Sequence, residues 1–92
     1  MYVVYMLQHS IRGDFYIGRT SSLEKRLKSH NNNLNRSTRR NSGCWVLVYA
    51  EAYRSRSDAI RRELKLKQHG SSKRELLKRI QESAIEIKSE AG

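Results

Sequence analysis

One cysteine, Cys44, is all that this chain of ninety-two residues offers for cross-linking, and that decides what can hold it together. A lone thiol closes no internal disulfide and builds no thiolate zinc cage, so a stapled secreted scaffold is excluded. Hydrophobic burial must carry the fold, and a chain this short buries only roughly 60–65% of its unfolded surface, enough for one core. A single domain over residues 1–87 is expected, with 88–92 as a short disordered tail. No apolar run is long enough to span a bilayer, and Met1 leads into Tyr2-Val3-Val4-Tyr5 without a basic leader. A reducing, aqueous compartment, the cytoplasm, follows as the expected location.

The apolar segments fall into an order. Tyr2–Leu7 is β-branched and aromatic and reads as a buried strand, Gln8–Gly13 as a hairpin loop, and Asp14–Gly18 as a second short strand. A loop of Gln8–Gly13 centres the pairing between Ser10 and Ile11 and sets Tyr5 directly opposite Tyr16. Ser21-Ser22-Leu23-Glu24 is a capping-box pattern, starting a helix expected to stop near Asn31 in an Asn-rich stretch. Residues 31–43 read as a polar loop, and Cys44–Tyr53 as the longest strand. Ser55 or Ser57 caps a second helix running to about Gln68, and His69-Gly70 ends it. Ser72-Lys73-Arg74-Glu75 is another capping box, opening a third helix whose Leu76, Leu77, Ile80, Ala84 and Ile87 share one face. The pattern predicts an α+β fold: a small three-stranded antiparallel sheet flanked by helices, in the order β-β-α-β-α-α.

Charge narrows the partners. Nineteen Lys and Arg stand against nine Asp and Glu, a net charge of +10. Residues 1–80 carry +12 and the last twelve residues −2. Such a surplus favours polyanions, because neutralising phosphates releases counterions, but it says nothing about catalysis. Arg19, Lys28, Arg36, Arg39 and Arg40 are candidates for tracking phosphates, with a plain solvated surface as the alternative for each.

The informative residues are charged groups where apolar ones belong. On the first helix Leu23 and Leu27 define the inward face. At 100° per residue His30 falls about 20° from Leu23, and Arg26 about 60° from it on the same side. On the second helix Ala59, Ile60, Leu64 and Leu66 mark the apolar arc, with Glu63 inside it. A carboxylate there needs a cation, a metal or an opening to water. Each has an ordinary reading: Arg26 snorkels, His30 is a satisfied core histidine, Glu63 pairs with Lys67 one turn on. Trp45 opens a strand and reads as core rather than a base-stacking platform. Three such placements beside two facing tyrosines mark a functional site.

These residues resemble the GIY-YIG nuclease family. Val3-Val4-Tyr5 is followed by ten residues and then Tyr16-Ile17-Gly18; Arg26 and His30 match the family's helix, and Glu63 its later glutamate. The likeness covers residues 1 to about 80 and is closest to small single-domain bacterial members, which resemble the amino-terminal nuclease domain of the excision-repair incision protein. Two positions depart: the first triplet is Val-Val-Tyr, and residues 64–92 hold no asparagine. The resemblance implies a metal-dependent DNA endonuclease, acting in repair or recombination on branched or single-stranded DNA, with RNA also open as a partner. Its implied catalytic residues are Tyr5, Tyr16, Arg26, His30 and Glu63. Glu63 would hold one divalent cation, Mg²⁺ or Mn²⁺, and a single carboxylate with several waters suits Mg²⁺. Arg26 would grip non-bridging oxygens. Tyr5 is the preferred general base, provided Arg26 and the metal lower its pKa, with Tyr16 orienting water or phosphate. A non-catalytic nucleic-acid-binding domain is the alternative, and a small basic ribosome-associated or structural protein a third. No motif assigns sequence specificity, a targeting partner or an oligomeric state.

Overall fold

The computed structural model describes residues 1–37 and 43–86. Three strands form one sheet: β1 (Tyr2–His9), β2 (Phe15–Thr20) and β3 (Trp45–Tyr53), in the spatial order β2-β1-β3. Both pairings are antiparallel. Helices α1 (Leu23–Ser37), α2 (Arg56–Gln68) and α3 (Gly70–Arg79) complete the order β-β-α-β-α-α, the α+β fold that the sequence pattern predicts. No described helix is long and apolar enough to cross a membrane.

Strand alternation gives the sheet two working faces. Val4, Met6 and Ile17 pack with Ala59 and Leu66 of α2, Leu76 of α3, and Ile80 to form the core. Tyr5, Leu7 and His9 point the other way, where Asn31 of α1 reaches the sheet; they too are buried. A bulge in β3 sits between these faces: Met6 pairs with Tyr49 and Leu7 with Leu47, leaving Val48 as the extra residue. The irregularity lets consecutive residues Val48 and Tyr49 both join the core.

The hairpin register differs from the expected one. Tyr5 faces Gly18 and Tyr16 faces Leu7, so Tyr5 and Tyr16 are diagonal neighbours, not direct partners. The cause is His9, which stays in β1 and caps the turn. Its Nδ1 accepts the backbone N–H groups of Ile11 (3.2 Å) and Arg12 (3.1 Å), while Gly13 takes the positive φ of 84° that closes the loop. The shift moves each partner by two residues, so the tyrosines still share a face.

Helix α1 begins at Leu23, one residue beyond the expected start, and the Arg26 N–H bonds the Ser22 carbonyl at 3.1 Å. It continues past Asn31 because that side chain is engaged elsewhere. Asn31 Oδ1 accepts the Trp45 N–H at 2.7 Å and Nδ2 donates to the Trp45 carbonyl at 3.2 Å, so the amide does not compete for helix backbone. The Ser55 cap of α2 appears as expected. The Ser72 capping box does not: α3 starts at Gly70, with His69 serving as both the C-cap of α2 and the N-cap of α3. The third helix also ends at Arg79 instead of running through Ile87. Ser83 and Ala84 N–H groups turn back onto the Ile80 carbonyl. The buried Gln8 amide then holds Ile85 at both backbone groups, at 2.6 and 3.1 Å.

The inward stripe of α2 carries two charges. Ala59, Arg62, Glu63 and Leu66 recur at helical spacing, whereas Leu64, expected on that arc, is exposed. Both charges are answered by the sheet. Val4 pairs with Arg19 on one side and Glu51 on the other, and this row of the sheet meets α2 as two crossed ion pairs. Arg19 Nε donates to Glu63 Oε1 at 3.1 Å and Arg62 Nε donates to Glu51 Oε1 at 2.5 Å. Reversing or sliding α2 would bring like charges together, so the exchange fixes where Glu63 stands.

Candidate active site

Tyr5 and Tyr16 come together because Gly18 lies opposite Tyr5. A Cβ at Gly18 would fall 2.5 Å from Tyr5 Oη, 2.6 Å from its Cζ and 2.9 Å from Tyr16 Cε2. Removing the side chain at that one position lets the Tyr5 ring lie against the β2 backbone, with the two tyrosine centroids 6.2 Å apart. From α1, His30 reaches both. Its Nε2 is 3.2 Å from the Tyr5 hydroxyl, and its ring stands edge-on to Tyr16 at 4.6 Å.

Electrostatics distinguish the groups. Burial raises the Tyr5 phenol above its ordinary 10; the Arg26 guanidinium, facing the hydroxyl, opposes the shift, while Tyr16 and Glu63 reinforce it. The net direction is opposite to what a phenolic base requires. Burial also lowers the His30 imidazole below 6.5, and the charge of Arg26 adds to this. His30 is therefore neutral at pH 7. Arg26 is held more firmly in its charged form, first by Tyr5 and then by Tyr16. It is itself exposed, not inward as its helical phase suggested. Its charge bears on both tyrosine phenols while the side chain stays open to solvent, where an anion can reach it.

Glu63 is half-buried, as its place in the apolar arc implies. Lys67 Nζ lies 3.0 Å from Oε2 while Arg19 holds Oε1. Burial alone would raise this carboxyl; the bonds and charges of Lys67 and Arg19 outweigh it and bring the value below 4.5. Alternation places Arg19, which holds the Glu63 carboxylate, on the face away from Tyr5, and the charge of Glu63 is the smallest of the influences on the Tyr5 phenol. Arg19, a candidate for phosphate tracking, is thus engaged with Glu63. Lys28 sits beside Glu24 at 3.5 Å on open surface. Arg39 and Arg40, the Arg36 side chain, Ile87 and the 88–92 tail lie outside the described residues.

Three participants were not legible as such. Trp45 joins the site instead of the core, 6.2 Å from Tyr16 and 6.4 Å from His30 between centroids. Asn31 pins it, although in the sequence that residue signals only a helix stop. Glu51 accepts from Tyr49, Tyr53 (2.6 Å) and Arg62. Burial pushes Glu51 up but the three donors bring it below 4.5, while Tyr53 is driven up to about 12 by burial and then by Glu51. The alternation Tyr49-x-Glu51-x-Tyr53 was the available signal. A cavity of about 220 Å³ between α2 and α3 is lined by Arg62, Ser71, Ser72, Glu75, Leu76 and Arg79, and the tyrosine site contributes nothing to it.

Comparison with known proteins fits this geometry. The GIY-YIG catalytic domain model matches residues 1–80. A UPF0213 protein from Bacillus halodurans, known from a solution NMR structure, is 29% identical, with 86% of this chain and 84% of that one covered and a TM-score of 0.51. A search among curated proteins found no match.

Proposed function

The chain belongs to the GIY-YIG catalytic domain family, whose members are nucleases, and from that premise we propose that it is a metal-dependent endonuclease cutting DNA phosphodiester bonds. The observation that carries the proposal is the Tyr5–His30 hydrogen bond, 3.2 Å long, between two groups on which the charge of the exposed Arg26 bears. Arg26 offers a planar fork of donors to the non-bridging oxygens of a phosphate. Tyr16, beside both Tyr5 and His30, orients the phosphate or the attacking water. Tyr5 does not need to ionise beforehand: its hydroxyl passes a proton to neutral His30 as it receives one from water.

A divalent ion would rely on one carboxylate, Glu63, and would have to displace Lys67 from its Oε2. Among the described residues no three His, Cys, Asp or Glu converge, so Glu63 would hold it with waters and phosphate oxygens, a donor set suited to Mg²⁺ or Mn²⁺. Bound there, the ion supplies neutralisation of charge developing on the phosphate and the leaving oxygen. Branched or single-stranded DNA of repair or recombination is the proposed substrate. A second reading, binding without turnover, draws support from Glu63, whose two oxygens are already satisfied by Arg19 and Lys67.

A DNA panel incubated with Mg²⁺ or Mn²⁺ tests both. Cleavage by wild type that is lost in Glu63→Ala and in Arg26→Ala supports the enzyme. Cutting that survives both substitutions removes the site assignment, and salt-sensitive binding without cutting selects the second reading.

A further inference from the structure

We propose that Trp45 is a stacking platform for a nucleobase next to the phosphate held at Tyr5, Tyr16, Arg26 and His30. The inference rests on the nucleic-acid reading above and adds a subsite to it. Trp45 is half-buried and is not part of the core. Its backbone is clamped at both N–H and carbonyl by Asn31, the residue after His30, so its placement relative to the site is rigid. Among the described residues its aromatic neighbours surround it without stacking on it: His9 stands perpendicular at 5.3 Å, and Tyr16 and His30 are inclined by 58° and 63°. Among the described residues, the cation over the ring is Arg12, 5.7 Å from its centroid. That guanidinium is more than half exposed, and its partner Asp14 is equally open.

A half-buried ring fixed in place, bordered by the site and with an exposed cation over it suits an unpaired base. Bases stack on tryptophan irrespective of sequence, and an arginine plane extends the same platform. Trp45 lies 6.2 Å from Tyr16 and 6.4 Å from His30 between ring centroids, so a base stacked on it adjoins a phosphate held by those residues. The preference is for single-stranded or splayed DNA, because a base inside a duplex cannot present its face.

Trp45 is the chain's one tryptophan, so its fluorescence reports directly on this contact. Wild type is titrated, with EDTA present, against a short oligothymidylate and against an abasic oligonucleotide of the same length and charge. The expected result is quenching by oligothymidylate only, with Trp45→Leu weakening oligothymidylate binding about tenfold and leaving abasic binding unchanged. Equal quenching by both strands, or equal weakening of both in Trp45→Leu, overturns the platform. Quenching of the wild type stands alone should Trp45→Leu fail to fold. Binding of neither strand overturns the nucleic-acid reading itself; binding of both with no change at Trp45 overturns the subsite alone.

Discussion

Gly18→Ala adds one methyl group where there is no room for it. The new Cβ would lie 2.5 Å from Tyr5 Oη and 2.6 Å from Cζ, against an ordinary contact of 3.4 Å, so the ring must retreat by about 0.9 Å. Tyr5 is only 1% exposed, and Tyr16 Cε2 at 2.9 Å closes a second direction of escape. Overpacking of this kind costs about 1–3 kcal/mol, and each kcal/mol lowers the midpoint of a domain this size by roughly 4–8 °C. The same displacement breaks the 3.2 Å contact between Tyr5 and His30. Misplacing a reacting group by about 1 Å costs on the order of 10²-fold in rate. Thermal unfolding and single-turnover DNA cleavage, measured on the same preparation, check the two effects. A Gly18→Ala variant with wild-type midpoint and wild-type rate would refute the idea that Tyr5 is seated on the β2 backbone.

Three other perturbations have defined outcomes. His30 titrates below 6.5 in the folded chain, because burial and Arg26 disfavour its charged form. The unfolded chain then binds that proton more readily, so stability holds above about pH 6.5 and falls as pH drops through the folded value; His30→Gln flattens this slope in urea melts below about pH 6.5. Lys67 competes with any cation for Glu63 Oε2, and Lys67→Met should raise Mn²⁺ affinity roughly fivefold, read by electron paramagnetic resonance; Lys67→Arg should not. Glu51→Ala strands Arg62 half-buried beside two tyrosines and should cost about 2 kcal/mol in urea unfolding, well above an exposed ion pair.

The strands and the polar residues of the inward stripes were readable because each depends on local pattern. Tyr2–Leu7 and Cys44–Tyr53 are strand-like within a few residues of their observed limits, and Glu63 declared itself by interrupting an apolar arc. What escaped depends on distant partners. The hairpin register turned on the His9 ring accepting two loop N–H groups, a bond invisible in a list of loop-forming residues. Asn31 reads as a helix stop until its amide is seen bonding Trp45 fourteen residues away. Arg19 resembled a surface cation because its partner sits forty-four residues on. For the same reason the third helix was overextended. Its apolar spacing persists past Ile80, but the Gln8 amide holds the backbone of Ile85 in a non-helical path.

Tyr5 and His30 are proposed to act together in cutting DNA, through the one hydrogen bond between them. A double-mutant cycle measures this directly: single-turnover cleavage with Mg²⁺ by wild type, Tyr5→Phe, His30→Gln and the double variant. Residues that work as a unit give a double variant no slower than the worse single one. Losses that multiply, or a wild type that does not cut, would contradict it.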